Sequence, residues 1–315
     1  MVSEEDIRVQ RRRNHLLRWA PRLKVTGGVR LWLTRGFLRA ATIGSAARVR
    51  RRGIALTLSR LPTPDRTRVR ILRPKSPPRG VLIDFHGGAW AVGLAAMDDK
   101  LNAGFAAACG LLVFSVDYRL AMPRAIAAIQ AECAAAALAI AERPDAAHLP
   151  IFLTGESAGG HLALSVVLRL KDRPEWSSRF RGMVLHYGVY DLGGTPSAMT
   201  AGKDSLVLHG PTLEPQIARL CPGLTREERR WPDLSPLYGD LTGLPPALIV
   251  VGDIDPLRDD SVQLAERLQA AGVEAELALL PEAPHGIIHF PGAYAAKVRA
   301  RGHRWLRQRL AAIPA

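Results

Sequence analysis

The sequence predicts an α/β fold built on a mostly parallel sheet. Three observations carry this. Short apolar runs rich in Val, Ile and Leu recur at Val81–Phe85, Leu111–Val116, Ile151–Thr154, Met183–His186 and Ala247–Val251. Runs of this kind suit strands buried on both faces. Helical patterns fall between several of them, at roughly Leu94–Cys109, Pro123–Ala141 and Ala158–Leu170. Strands alternating with helices require crossover connections, hence a parallel sheet. Finally, a chain of 315 residues that is 48% hydrophobic and 23% charged has the composition of a globular protein, not a disordered one.

Taken in order, residues 5–50 read as helical. Leu16, Leu17, Leu23, Leu31, Leu33 and Leu38 are set among arginines, and Gly27, Gly28, Gly36 and Gly44 punctuate the pattern. The alternations Ile54-Leu56-Leu58 and Val69-Ile71 read as half-buried strands, and the proline-rich Arg73–Gly80 as a loop. After the apolar runs come a helix at Leu257–Ala271, a strand at Glu274–Leu279 and a closing helix near Ala293–Leu310. The segment Asp191–Pro232 breaks the rhythm. Long insertions of this kind in compact folds serve as lids or binding elements.

Composition also limits the partners. The net charge of +14 is concentrated: residues 1–80 hold 21 Lys and Arg against 4 Asp and Glu, and the remainder is slightly acidic. Such an arm could meet nucleic acid, anionic lipid or an acidic partner. No nucleic-acid motif accompanies it, and the favoured reading is a solvated helical face in an arginine-biased chain. No apolar run approaches the roughly 20 residues that span a bilayer. No secretory signal is expected at the start. Cys109, Cys133 and Cys221 are sparse and lack metal-ligand spacing, which points to a reducing, cytoplasmic setting with the thiols in the core.

The chemistry centres on Gly155-Glu156-Ser157-Ala158-Gly159-Gly160, a G-x-S-x-G between a predicted strand and a predicted helix. That context is the one a nucleophile elbow needs: a sharp turn lifts the serine above the sheet, and the helix start points free N–H groups at developing negative charge. The motif alone is also compatible with an ordinary Gly/Ser turn. A second signal, His86-Gly87-Gly88-Ala89-Trp90, follows Val81–Phe85 and resembles an oxyanion loop, His86 being read as a loop-shaping hydrogen bonder. A nucleophilic serine needs a base and an orienting acid. Among the later histidines, His285 lies in a loop just after the last strand, with His289 a weaker candidate. Asp255 directly follows Ala247–Val251, with Asp253 as its rival.

With these residues in view, the sequence resembles the hormone-sensitive-lipase-like branch of the α/β-hydrolases, the family IV bacterial esterases. The matching stretches are His86–Trp90, Val116–Ala121, Gly155–Gly160, Ser235–Leu237, Leu244–Ala247, Asp255–Asp259 and His285-Gly286. The resemblance implies one domain over residues 1–315, with an eight-stranded, mostly parallel sheet and a helical cap from about 1–50 and 190–232. It implies Ser157 as nucleophile, Asp255 as acid and His285 as base, and an oxyanion hole from Gly87, Gly88, Ala89 and Ala158. It implies hydrolysis of a small-molecule carboxylic ester, of short to medium acyl chain, with no metal or organic cofactor. Ala89 replaces a glycine of the family loop, Glu156 stands where Asp is usual, and the stretch after Leu120-Ala121 is shortened.

Trp90, Tyr187 and Tyr190 are expected near the substrate pocket. The arm is expected to cover the acyl pocket with its apolar positions and turn its arginines to solvent. Same-triad alternatives are an amidase, a lactonase or an acyltransferase; a different class would be a non-catalytic ligand receptor. Oligomeric state, a homodimer included, is left open.

Overall fold

The computed structural model describes residues 2–23, 28–121 and 125–313. Three helices open the chain: α1 (Glu4–Leu17), α2 (Gly28–Ala41) and α3 (Ser45–Arg51). Strands β1 (Ala55–Arg60), β2 (Arg68–Arg73) and β3 (Gly80–Phe85) follow, then α4 (Asp99–Cys109), β4 (Leu111–Asp117), α5 (Ile126–Ala141), β5 (Ile151–Glu156), α6 (Ala158–Leu170), α7 (Pro174–Ser177) and β6 (Phe180–His186). Inside the insertion lie the short helices α8 (Pro196–Thr200) and α9 (Leu213–Leu220). The chain ends with β7 (Ala247–Gly252), α10 (Arg258–Ala270), β8 (Ala275–Leu280) and α11 (Ala293–Ala311). The predicted helix over Pro123–Ala141 starts at Ile126; residues 122–124 lie outside the described residues.

The strands form one eight-stranded sheet in the order β1-β2-β4-β3-β5-β6-β7-β8. β2 pairs antiparallel with β1 and with β4, and every other pairing is parallel. Strands β3, β5 and β7 are buried along their whole length, as two-sided coverage demands. On one face α5 and α6 contribute Ile129, Ile140, Leu162 and Val166 to the core. On the other, α4 and α11 contribute Phe105, Val298, Trp305 and Leu306.

The chain leaves β3 toward β4 on one side and later places β5 on the other. Between β3 and β5 the winding reverses, and the loops after these two strands diverge. Ligands in open α/β sheets bind at the carboxyl ends of strands at such a switch point. The two chemistry-bearing motifs, after β3 and after β5, both fall there. Cys109, Cys133 and Cys221 are buried and form no disulfide with one another. No helix among the described residues is long and apolar enough to cross a membrane.

Candidate active site

Ser157 sits between β5 and α6 with φ 52° and ψ −119°. Such a conformation is costly for a residue with a Cβ and persists only when the surroundings impose it. The surroundings do so here. Its N–H donates to the His186 carbonyl at 2.9 Å. The turn closes because Gly159 is bare: a Cβ there would lie 1.8 Å from the Phe85 carbonyl oxygen.

The loops after β7 and β8 bring two more groups to the serine. The Ser157 hydroxyl lies 3.0 Å from His285 Nε2. His285 Nδ1 lies 2.9 Å from Asp255 Oδ2 and 3.1 Å from Oδ1. With the ring proton on Nδ1 and donated to Asp255, Nε2 is left to accept from the serine. Asp255 is held in turn by the Leu257 N–H at 2.9 Å. The rival residues are elsewhere: Asp253 accepts the Glu282 N–H at 2.7 Å, and His289 bonds Glu156. His161, one turn into α6, turns away to the Leu234 carbonyl at 2.8 Å.

The backbone amides can be oriented by elimination, because the C=O and the following N–H of a trans peptide point in opposite directions. The Gly87 carbonyl accepts from His86 Nδ1 at 2.7 Å. The Gly88 carbonyl accepts from the Ala91 and Val92 amides, and the Ser157 carbonyl from those of His161 and Val189. The N–H groups of Gly88, Ala89 and Ala158 therefore point away from these occupied carbonyls. Ala158 is also the first residue of α6, whose leading amides have no acceptor within the helix. Gly88 (φ 111°) and Ala89 (φ 53°) both lie at positive φ. His86 is fully buried and stacks on Tyr118 with ring centroids 4.2 Å apart, which fits a loop-shaping role.

Behind the elbow lies a cluster that the sequence did not reveal, with Glu156 and Asp98 buried and His289 open to solvent. Glu156 accepts from the Tyr187 hydroxyl and from His289 Nε2, each at 2.6 Å. Burial pushes the Glu156 carboxyl up, but the charge and hydrogen bond of His289 outweigh it and hold the group well below the usual carboxylate range. Burial pushes His289 down, and Glu156 more than reverses that, so the imidazole is raised. Asp98, beside them, is driven well up by burial, with Glu156 and Asp84 adding repulsion. Asp98, Glu156 and His289 offer ligand-type atoms within 4.8 Å of one another. The 2.6 Å contact is a direct hydrogen bond, and an ion with ligands at about 2.0–2.2 Å would have to part the pair.

A small cavity opens on Ser157, with a volume of about 40 Å³. That is room for a water or two, not an acyl chain. Ala89, Trp90 and Val189 line it together with Leu23 of the arm and Leu208, Leu213, Gln216 and Ile217 of the insertion. The N-terminal arm and the insertion meet here: the Leu23 N–H donates to the Val207 carbonyl at 2.7 Å, beside a Leu23–Leu208 bridge.

Two expectations need correction. Tyr187 and Tyr190 do not line this cavity; both are fully buried behind it, Tyr187 on His285 and Glu156, Tyr190 with its N–H on Asp260. Only Trp90 of the three aromatic residues borders it. The arm does not turn its apolar residues inward as a set. Leu23 reaches the cavity and Leu31 packs on Ala91 and Val92, but Val29, Trp32, Leu33 and Phe37 face solvent.

A family model described as the alpha/beta hydrolase fold matches residues 82–289. A carboxylesterase of Mycobacterium tuberculosis is 32% identical over 229 residues, 70% of either chain. An acetyl esterase of Salmonella schwarzengrund is 30% identical over 244 residues, 73% of this chain and 72% of that one. The crystal structure of a hormone-sensitive lipase from a metagenome library superposes with a TM-score of 0.77 at 26% identity, covering 96% of this chain and 98% of the other. Sheet order, elbow and matched span agree: the chain belongs to the α/β-hydrolase fold family, in its hormone-sensitive-lipase-like branch.

Proposed function

We propose that Ser157, His285 and Asp255 hydrolyse short- to medium-chain carboxylic esters through an acyl-enzyme. The chain is a carboxylic-ester hydrolase, as its relatives' activities indicate. The observation that carries the finer reading is the continuous line from the Ser157 hydroxyl through His285 to Asp255, every link at 2.9–3.1 Å.

Ser157 attacks the ester carbonyl carbon as its proton passes to His285 Nε2. Asp255 orients the ring and stabilises the imidazolium. Gly88, Ala89 and Ala158 amides receive the oxyanion, with Gly87 shaping the loop; one such donor is worth about 2.7–4 kcal/mol. His285 then gives its proton to the departing alcohol. Water, activated by the same imidazole, attacks the acyl carbon and frees the carboxylic acid. Leu23, Leu208 and the α9 residues form the cap over the acyl group. The closed cavity makes cap movement part of the cycle, since a substrate must displace those side chains to reach Ser157.

The test pairs a fluorophosphonate probe with a chain-length series of p-nitrophenyl esters. One adduct on Ser157, and hydrolysis that vanishes in Ser157→Ala, is the expected result. An adduct mapped elsewhere, or undiminished hydrolysis by Ser157→Ala, would refute the assignment.

A further inference from the structure

Helix α2 has two apolar faces, and only one is covered. Leu31 is buried on Ala91 and Val92, with Leu38 packed beside it. On the same side the Arg35 guanidinium donates to the Ala91 carbonyl at 2.8 Å and to the Ala121 carbonyl at 2.9 Å. These contacts fix which way the helix faces. The opposite side carries Val29, Trp32, Leu33 and Phe37, spaced as one helical stripe, with exposures of 74%, 73%, 56% and 71%. Gly36 and Ala40 continue the stripe, and both are exposed. At 3.6 residues per turn, Arg30 and Arg39 fall along its two edges, and both are exposed.

Large apolar side chains collected on one exposed helix face mark an interaction site. The flanking charge selects the partner. A second copy of this chain meeting the stripe symmetrically would set Arg30 and Arg39 against their own equivalents, like charge on like. A nucleic acid would be met by aliphatic Val29 and Leu33 at the centre of the stripe, where phosphates need cations. An apolar stripe edged by arginines instead suits the boundary between acyl chains and anionic headgroups. The excess of basic residues over residues 1–80 acts in the same direction.

We propose that α2 docks the enzyme onto anionic phospholipid bilayers, with Trp32 and Phe37 inserted at the acyl boundary and Arg30 and Arg39 on the headgroups. Because the inner face of α2 rests on the loop from Ala89 to Val92, docking sets the capped side of the catalytic cleft at the lipid surface. The docking is independent of catalysis and holds for the Ser157→Ala protein as well.

Co-sedimentation tests this with phosphatidylcholine vesicles, alone or with about a quarter phosphatidylglycerol, in about 50 mM and about 500 mM salt. Wild type and Ser157→Ala should both pellet with the anionic vesicles at low salt, with a blue-shifted tryptophan emission. The double variant Trp32→Ser/Phe37→Ser should bind at least about tenfold more weakly, while its hydrolysis of a soluble acetate ester stays at the wild-type rate, which also shows that it folds. Arg30→Glu/Arg39→Glu should lose the preference for phosphatidylglycerol. Vesicle binding by a protein that cleaves no ester would leave docking standing and remove the catalytic reading. Three results would overturn the docking: no pelleting of wild type with anionic vesicles, equal binding by the Trp32/Phe37 variant, or a dimer that the same variant dissociates in sedimentation velocity without any vesicle binding.

Discussion

The Tyr187 ring meets the imidazole of His285 edge-on, with centroids 4.7 Å apart. Its hydroxyl is tied to Glu156 on the far side. One fully buried side chain thus links the His285 loop to the residue that precedes Ser157. Tyr187→Phe keeps the ring and deletes the tie. The lost bond to a charged acceptor should cost about 1.5–3 kcal/mol of stability, read by urea unfolding. The retained ring should leave KM near wild type.

Asp255→Asn and His285→Ala should each lower kcat by about 10⁴-fold. Asp253→Asn should stay close to wild type, because that carboxylate serves the Glu282 amide and not the imidazole. Kinetics on one soluble ester decide the matter, and a larger loss at Asp253 than at Asp255 would reassign the acid.

Gly88→Ala should lower kcat/KM by about 10²–10³-fold, the scale of a lost oxyanion donor. The added Cβ would sit 2.2 Å from the Val92 carbonyl oxygen and push the loop out of register. Ala89→Gly should remain active: at φ 53° the alanine carries strain of about 1–2 kcal/mol that a glycine lacks. A dead Ala89→Gly variant would show that the methyl is needed in the pocket.

The Glu156–His289 pair predicts a pH signature. The lowered Glu156 contributes stability that is complete above its unfolded value of 4.5 and lost as pH falls toward about 2. The raised His289 contributes stability that is complete below its unfolded value of 6.5 and lost as pH rises through its higher folded value. His289→Gln should therefore be most destabilised relative to wild type between pH 4.5 and 6.5. Glu156 is buried but the His289 side chain is 31% exposed, so solvent screens the pair and breaking it costs only about 1 kcal/mol. The difference should shrink on either side of that window in paired thermal melts; a flat difference from pH 3 to 9 would contradict it.

Ile217→Ala should enlarge the cavity under the cap. The ratio of kcat/KM for hexanoate over acetate esters should rise about tenfold, with acetate itself little changed. An unaltered ratio would show that acyl chains run elsewhere.

The three residues of the proposed triad were readable in the sequence because each is announced by its immediate neighbours. Ser157 has its glycines, Asp255 its Pro256 and the strand before it, and His285 its place after the last strand. The support behind them was not readable, because Glu156 ends β5, Tyr187 follows β6 and His289 lies beyond β8, and no local pattern pairs them. Tyr187 and Tyr190 look like pocket residues by position at the end of β6; only the packing shows them spent on the core. Helix α2 misled for another reason. Periodicity locates an apolar face and assumes that it turns inward, and a helix with two such faces gives no sign of which one the body covers.

Helix α1 is tied to the loop after β8 and to α11. Asn14 donates to the Glu282 carbonyl at 2.8 Å and Arg11 to the Glu282 carboxylate at 2.8 Å, three residues before His285. Lys297 of α11 also pairs with Asp6. On a ribosome, α1 must therefore wait for residues 268–271 positions further along before it can dock. Contacts so distant in sequence form late in folding. The loop that carries His285 gains its brace only after Glu282 has been made, long after Ser157 and its strand have emerged.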